Sequence, residues 1–435
     1  MKHYLSAALF SITFVTAASA IAQNNEWVSL NTKAASLAQQ GNYADAVTTA
    51  EKALTLAEKR GLDHFEVAVS LSNLAALYTN QGRYAEAEPL FKRSLAIAEK
   101  KLGPSHIEVA ACLNNLAELY KIQGKYSEAE PLFIRSLAIR EMKSKESTDI
   151  ATGQNNLAEL YRMQGKYALA EPLYLRSLAV REKALGAAHP DVAQSLNNIA
   201  SLYKTLGKYQ EAQSLFERAL SIWEKALGSS HTYVATGLNN LAEVLRMQGK
   251  HAEAEPLYKR SLAIKEKIFG TEHPTVAVTL SNLALSFEEQ GKYADAEPLY
   301  IRSLRITEKA LGPDHPAVAS ILNNLAELYR EQNKYTEAEP VYKRALTIRE
   351  NTLGPEHTDV ALSLNNLAAL YANQSKYAEA QILCLRSLSI LEKVFGKNHP
   401  TTVRALTNLA FLYRQTGREN DALELEKNMT KPSQG

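Results

Sequence analysis

Apolar residues fall into two alternating stripes, and the polar letters between them repeat as faithfully as the apolar ones. In "CLNNLAELYKIQGKY" (112–126), bulky or small apolar side chains stand three before Leu116, at it, one after it and four after it: Leu113, Leu116, Ala117 and Tyr120. Those offsets are the i, i+3, i+4, i+7 spacing of one face of an α-helix. A second stripe opens after a glycine, as in Tyr84, Ala87, Phe91 and Leu95. Small alanines facing large aromatics allow neighbouring helices to interlock at the density of a protein interior. The pattern therefore predicts pairs of amphipathic helices, A and then B, parted by a tight turn.

The pairs keep time. Tyr84, Tyr126, Tyr167, Tyr209, His251, Tyr293, Tyr335 and Tyr377 open successive B helices at steps of 42 residues, with one step of 41 between 126 and 167. Self-similarity at such a period means stacked helical units rather than separate domains. The frame assigns 1–22 to a leader, 23–62 to a divergent first unit, 63–399 to eight tandem 42-residue units, and 400–435 to a capping unit with a polar tail. Gly82, Gly124, Gly165, Gly207, Gly249 and Gly291 break A from B. A further glycine ends most B helices, and a proline often starts the next A. Pro89, Pro131, Pro172, Pro256, Pro298 and Pro340 fall five residues after the opening aromatic or histidine, where each deletes about one backbone hydrogen bond and predicts a slight kink. "EMKSKESTDIA" (141–151) lacks the usual connection and reads as a flexible joint or a weak interface.

The order Leu116, Ala117, Tyr120, Gly124, Tyr126, Ala129, Phe133, Ser136 resembles the tetratricopeptide repeat, and the likeness extends over about residues 26–430. The 42-residue variant is most similar to the kinesin light chain repeats, although a leader stands where that family has a heptad region. The resemblance implies an all-α, right-handed superhelical solenoid of antiparallel helix pairs. It also implies a concave surface lined by the A helices, where related families hold peptide main chains with asparagines.

Composition narrows the function classes. The chain of 435 residues carries 49 basic and 47 acidic residues, a balance that points away from nucleic acid. Cys112 and Cys384 are two cysteines more than six repeats apart, read as buried small apolar residues rather than a disulfide. "MKHY" followed by "LSAALFSITFVTAASAIA" resembles a secretion signal, with cleavage after Ala20 or Ala22, or else an uncleaved anchor. An exported protein, periplasmic or secreted, is expected. No Ser/His/Asp set, HExxH or phosphate loop occurs, so the expectation is a non-enzyme without cofactor or metal. Eight histidines at one loop position (His64, His106, His189, His231, His273, His315, His357, His399) are expected to shape that turn.

Asparagine, a mediocre helix former, nevertheless recurs inside helix A. Leu116 and its equivalents Leu74, Leu157, Ile199, Leu241, Leu283, Leu325, Leu367 and Leu409 serve as the reference residue of each unit. Asparagine stands one before that residue at Asn73, Asn115, Asn156, Asn198, Asn240, Asn282, Asn324, Asn366 and Asn408, and often two before it as well. At 100° per residue these positions point away from the core of their own helix pair. A carboxamide offers both donor and acceptor, so the columns are expected to form a ladder for an extended peptide of any sequence. Five after the reference residue, Lys121, Arg162, Lys204 and Arg246 make a basic row that could receive an acidic segment or a C-terminus. Glu118 and Glu159 lie three before Lys121 and Arg162, so ordinary i, i+3 pairs are the competing reading. Backbone clamps net roughly 0.5–1.5 kcal/mol each against an association cost of about 4–15 kcal/mol, so micromolar affinity is expected. The sequence thus favours a scaffold for a protein or peptide partner, with no nucleic acid and no membrane contact beyond the leader. A structural spacer or self-associating module, in which the asparagines only fix repeat geometry, is the alternative.

Overall fold

The computed structural model describes residues 25–62, 64–143 and 147–429; the leader lies outside them. Ten helix pairs follow one another. They are α1 (Asn25–Gln39) with α2 (Tyr43–Glu58), α3 (Phe65–Asn80) with α4 (Tyr84–Leu102), and α5 (Ile107–Ile122) with α6 (Tyr126–Lys143). Next come α7 (Thr148–Met163) with α8 (Tyr167–Leu185), α9 (Pro190–Thr205) with α10 (Tyr209–Leu227), and α11 (Thr232–Met247) with α12 (His251–Phe269). The last are α13 (Pro274–Glu288) with α14 (Tyr293–Leu311), α15 (Pro316–Glu331) with α16 (Tyr335–Leu353), α17 (Thr358–Asn373) with α18 (Tyr377–Phe395), and α19 (Pro400–Gln415) with α20 (Glu419–Met429). The fold is an all-α solenoid. Odd-numbered helices are A and even-numbered helices are B. B helices run unbroken across their prolines, each of which sits six residues into its helix.

Repeated polar letters have partners between helices, which explains why they repeat. The serine of helix B donates to an alanine carbonyl of its own helix A at 2.7 Å, as Ser94 to Ala68, Ser136 to Ala110 and Ser303 to Ala277. The glutamate before the B-helix proline accepts from the tyrosine of the next A helix: Glu88 from Tyr120 at 3.2 Å, Glu130 from Tyr161 at 3.1 Å, Glu297 from Tyr329 at 3.0 Å. Arginines of B helices reach back to glutamates of the preceding B helix, as Arg135 to Glu99, Arg260 to Glu224 and Arg344 to Glu308 at 2.6–2.7 Å. These pairs are half-exposed, so each contributes little, about 0–1 kcal/mol. They mark the outer side, where B helices splay and only long side chains span the gap. The A helices touch one another directly, α3 on α5, α11 on α13 and α15 on α17, so the curve closes toward them.

The curve closes far enough for the chain to meet itself. His273 Nε2 lies 3.0 Å from the carbonyl of Gln39, 234 residues away. Gly41, Gly82 and Gly124, in the A-to-B turns of the first three pairs, pack against His273, His315 and His357. Gly165 packs in the same way against His399. Five and a half repeats therefore complete one turn, and the second turn rests on the first along a seam of glycines and histidines.

The expected joint at 141–151 falls partly on residues 144–146, outside the described ones. On either side of it α6 and α7 pack closely, with Arg140 reaching the Asp149 carbonyl at 3.4 Å. Cys112 and Cys384 are buried as expected, and burial pushes each thiol up to about 11.

Candidate binding groove

The asparagines answer to each other. Asn156 donates from Nδ2 to Oδ1 of Asn114 in the preceding repeat at 2.7 Å. Asn198 does the same to Asn155 at 2.6 Å, Asn240 to Asn197 at 2.8 Å, and Asn282 to Asn239 at 3.2 Å. Asn115 donates to Ser72 Oγ at 3.1 Å, because serine replaces asparagine there, and Asn73 donates to Asn31 at 2.8 Å. From α5 to α13 two adjacent positions are thus a donor facing one neighbour and an acceptor facing the other. The ladder changes at α15, where Asn323 donates to Ser363 Oγ at 3.1 Å and its own Oδ1 has no partner among the described residues. The sequence expectation that both columns stand open along the inner curve is corrected on this point. The side opposite the helix-pair core is where the next A helix packs.

Accessibility differs along the ladder. Asn73, Asn115, Asn282 and Asn324 are at most 4% exposed, whereas Asn156, Asn198, Asn240 and Asn366 are half-buried. The inner face is therefore tightly closed at α3, α5, α13 and α15, and more open at α7, α9, α11 and α17.

Two members of the basic row, Arg162 and Lys204, lie half-buried on the first open stretch, whereas Lys121 is on the closed α5 and Arg246 on α11 is 3% exposed. Every member has a carboxylate beside it. Lys121 pairs with Glu118 and Arg162 with Glu159, both at 2.6 Å. Lys204 reaches across to Glu243 of the next repeat at 2.8 Å, and Arg246 to Glu289 at 2.5 Å. Burial opposes the charge on Glu159, but Arg162, Lys121 and the Tyr174 hydroxyl outweigh it and hold the carboxyl down to about 2. The row is a line of compensated ion pairs. An incoming carboxylate would have to compete with an existing partner.

The loop histidines cap helices. Nδ1 of each accepts from the backbone N–H two residues on, at 3.0 Å for His315 and His357 and 3.4 Å for His64. Sequence reasoning missed a further column, the fifteenth position of helix B, which packs on the next A helix four before its reference residue. Trp223 there faces Gly237, and Arg140 faces Gly153, where an added Cβ would lie 3.2–3.3 Å away. Arg181 bonds Ser195 at 2.9 Å, Arg349 bonds Ser363 at 2.8 Å, and Lys265 bonds Thr279 at 2.7 Å. Large residues opposite glycine, and donors opposite hydroxyls, were readable signals.

The tetratricopeptide repeat family model matches residues 27–100, 66–142, 149–225, 191–267, 233–309, 275–351 and 359–427, nearly the whole described chain. The chain belongs to the tetratricopeptide repeat family. Its repeats are similar to a putative kinesin light chain of Podosopora anserina with nearly identical repeats: 27% identity over 48% of this chain and 98% of that one, TM-score 0.40. BtubC (BKLC) from P. vanneervenii is 24% identical over 52% of this chain and 94% of that one, TM-score 0.43. The human IFIT1 dimer with PPP-AAAA covers more, 94% of this chain and 91% of that one, at 18% identity and TM-score 0.50, a likeness of fold. No curated protein sequence matches the chain. Among the described residues, no helix of this tetratricopeptide repeat protein is long and apolar enough to cross a membrane.

Proposed function

We propose that this protein is an exported, non-catalytic scaffold that holds a protein or peptide partner on the inner face of its solenoid at α7, α9 and α11. The observation that carries the reading is the division of labour among polar columns. Repeated letters are occupied by bonds within the array, while the positions two and five after the reference residue vary from repeat to repeat. Glu159, Arg162, Ser201 and Lys204 occupy those variable positions and are half-buried, facing the more open part of the groove. Selectivity belongs to such positions, because a partner read only by repeated groups could slide from one repeat to the next. The asparagines at 156, 198 and 240 would shape the groove floor and offer only the hydrogen-bonding capacity the ladder does not use. The basic row supports an acidic partner only if binding exchanges one carboxylate for another, which favours micromolar rather than tight binding.

The spacer reading keeps one specific support, since the ladder is explained without any ligand. A pair of variants separates the two. Ser201→Arg fills the groove at a hydroxyl bonded only to its own helix backbone at Asn197; Leu175→Arg changes an exposed outer position. With both variants melting close to the parent, partner capture from the exporting compartment, read by mass spectrometry, should fail for Ser201→Arg and persist for Leu175→Arg. The opposite result would move the interface to the outer side and sink the groove.

A further inference from the structure

The seam between the two turns depends on one protonation state. His273 accepts at Nδ1 from the Thr275 N–H, 3.2 Å away, and presents Nε2 to the Gln39 carbonyl at 3.0 Å. Only a neutral ring with its proton on Nε2 satisfies both contacts. Gln39 is the last residue of α1, one of the helix-end carbonyls without an intrahelical partner. His315 and His357 approach the backbone of Asn80 and Ile122, the last residues of α3 and α5, from the corresponding side, although His315 Nε2 makes no hydrogen bond there. His273 therefore caps two helices, its own at the start and one from the other turn at the end. The buried Nε2 atoms of His315 and His399 have no hydrogen-bond partner among the described residues, and packing on Gly82 and Gly165 holds their rings against the first turn. We propose that these neutral histidines latch the second turn of the solenoid onto the first, and that protonating them at mildly acidic pH releases the latch and lets the coil open.

Protonation adds a hydrogen at Nδ1, aimed at an N–H on the positive end of a helix, so the N-cap is lost. At His273 the Thr275 hydroxyl oxygen, 2.9 Å from Nδ1, can accept that hydrogen and opposes release there. The carbonyl end of the facing helix favours a cation, and that effect opposes release. Burial outweighs it: all four rings, His399 included, are held below the ordinary histidine range, His315 down to about 4. Charged neighbours modulate the latch unevenly. Lys265 adds to the depression at His273; at His357, Asp359 opposes it and Arg349 adds to it. Phe269 and Phe395 stack on His273 and His399 at 4.5 and 4.3 Å and contribute no charge. The sign follows from the lowered values. Closure is complete above the ordinary histidine pKa of 6.5 and weakens as pH falls from there toward 4. For His315 alone, a shift from 6.5 to about 4 tilts the balance toward the open form by about 30-fold at pH 5.

The array contains its own control, because His64, His106, His189 and His231 cap their helices identically but touch no second turn in any described contact. Spin labels on Ala85→Cys and Asp314→Cys straddle the seam at two exposed positions, and the native cysteines are buried. On the full chain, the long-distance population should rise about 30-fold or more relative to the short one between about pH 7.5 and about pH 5, with helical circular dichroism unchanged. Replacing His273, His315, His357 and His399 by Asn, which caps without titrating, should abolish the step. The same change at His64, His106, His189 and His231 should leave it. A parent with the same distances at both pH values overturns the latch, as does a step that survives the seam replacements or vanishes in the control set. Should the seam variant fail to fold, the parent and the control set still decide.

Discussion

Gly82 and Gly249 sit at the same place in their repeats with nearly the same backbone, φ +73° and +77°, so alanine strains the main chain equally at both. That shared cost is about 1 kcal/mol, the usual penalty of a Cβ in the left-handed region. The surroundings differ. A Cβ on Gly82 would lie 3.1 Å from His315 Cδ2 and 3.2 Å from Pro316 Cδ, while one on Gly249 meets nothing within 4 Å. Neither seam atom belongs to the end of a flexible side chain: an N-cap fixes the imidazole and the proline begins α15. Overpacking of this kind costs typically about 1–3 kcal/mol. Gly82→Ala should therefore lose about 2–4 kcal/mol in total and Gly249→Ala about 1 kcal/mol. Urea unfolding of the two variants beside the parent, with the slope checked because long arrays need not unfold in one step, measures the difference. Equal losses would mean the turns do not touch, and the seam argument would fall with them. The array's own exceptions agree with the reasoning. The turn residue is not glycine at Asn333 and Ser375, both with φ 59°, and both are exposed.

Two further outcomes follow from buried groups. Asn282→Ala should cost about 1–3 kcal/mol, since it leaves the buried Asn239 Oδ1 without its donor, whereas adding Asn239→Ala should recover part of the loss. Additive losses in that double-mutant cycle would refute a bonded ladder. Lys265 is 3% exposed and donates to the Thr279 hydroxyl at 2.7 Å, and burial lowers its pKa from 10.5 to about 8. Near neutral pH the folded chain carries the cost of a buried ammonium. That cost shrinks as pH rises from about 8 toward 10.5, because there the unfolded chain binds the proton the folded chain has released. Lys265→Met with Thr279→Val should gain about 1–3 kcal/mol at neutral pH and lose that advantage above about pH 10.5, as seen in pH-dependent melting; a pH-independent gain would argue against a charged lysine.

The architecture was legible because the period of 42 repeats every element of the fold in one register, and each apolar stripe names its own face. Side-chain partners were legible only within a helix. Glu118 with Lys121 and Glu159 with Arg162 follow from i, i+3 spacing. Lys204 with Glu243 and Arg246 with Glu289 cross between repeats, and no single-helix projection reveals them. The asparagines were misplaced for a related reason. A projection that knows only the core of its own helix pair counts every other direction as solvent, yet a second A helix occupies that side. The seam was out of reach altogether, since contacts 234 residues apart depend on a small rotation summed over five and a half repeats.

The carboxamide ladder has a bearing on how such a chain can change length. Between α5 and α13, a unit cut out whole, or copied in, rejoins through the same plug and socket, because its outgoing donor meets whichever acceptor comes next. Nothing local penalises the edit. The histidine latch is indifferent to neighbours and sensitive to count: removing one unit between the two turns would bring each ring over the wrong part of the coil beneath. Growth by duplication is thus free at the joints that share the ladder and policed by the closure of the ring.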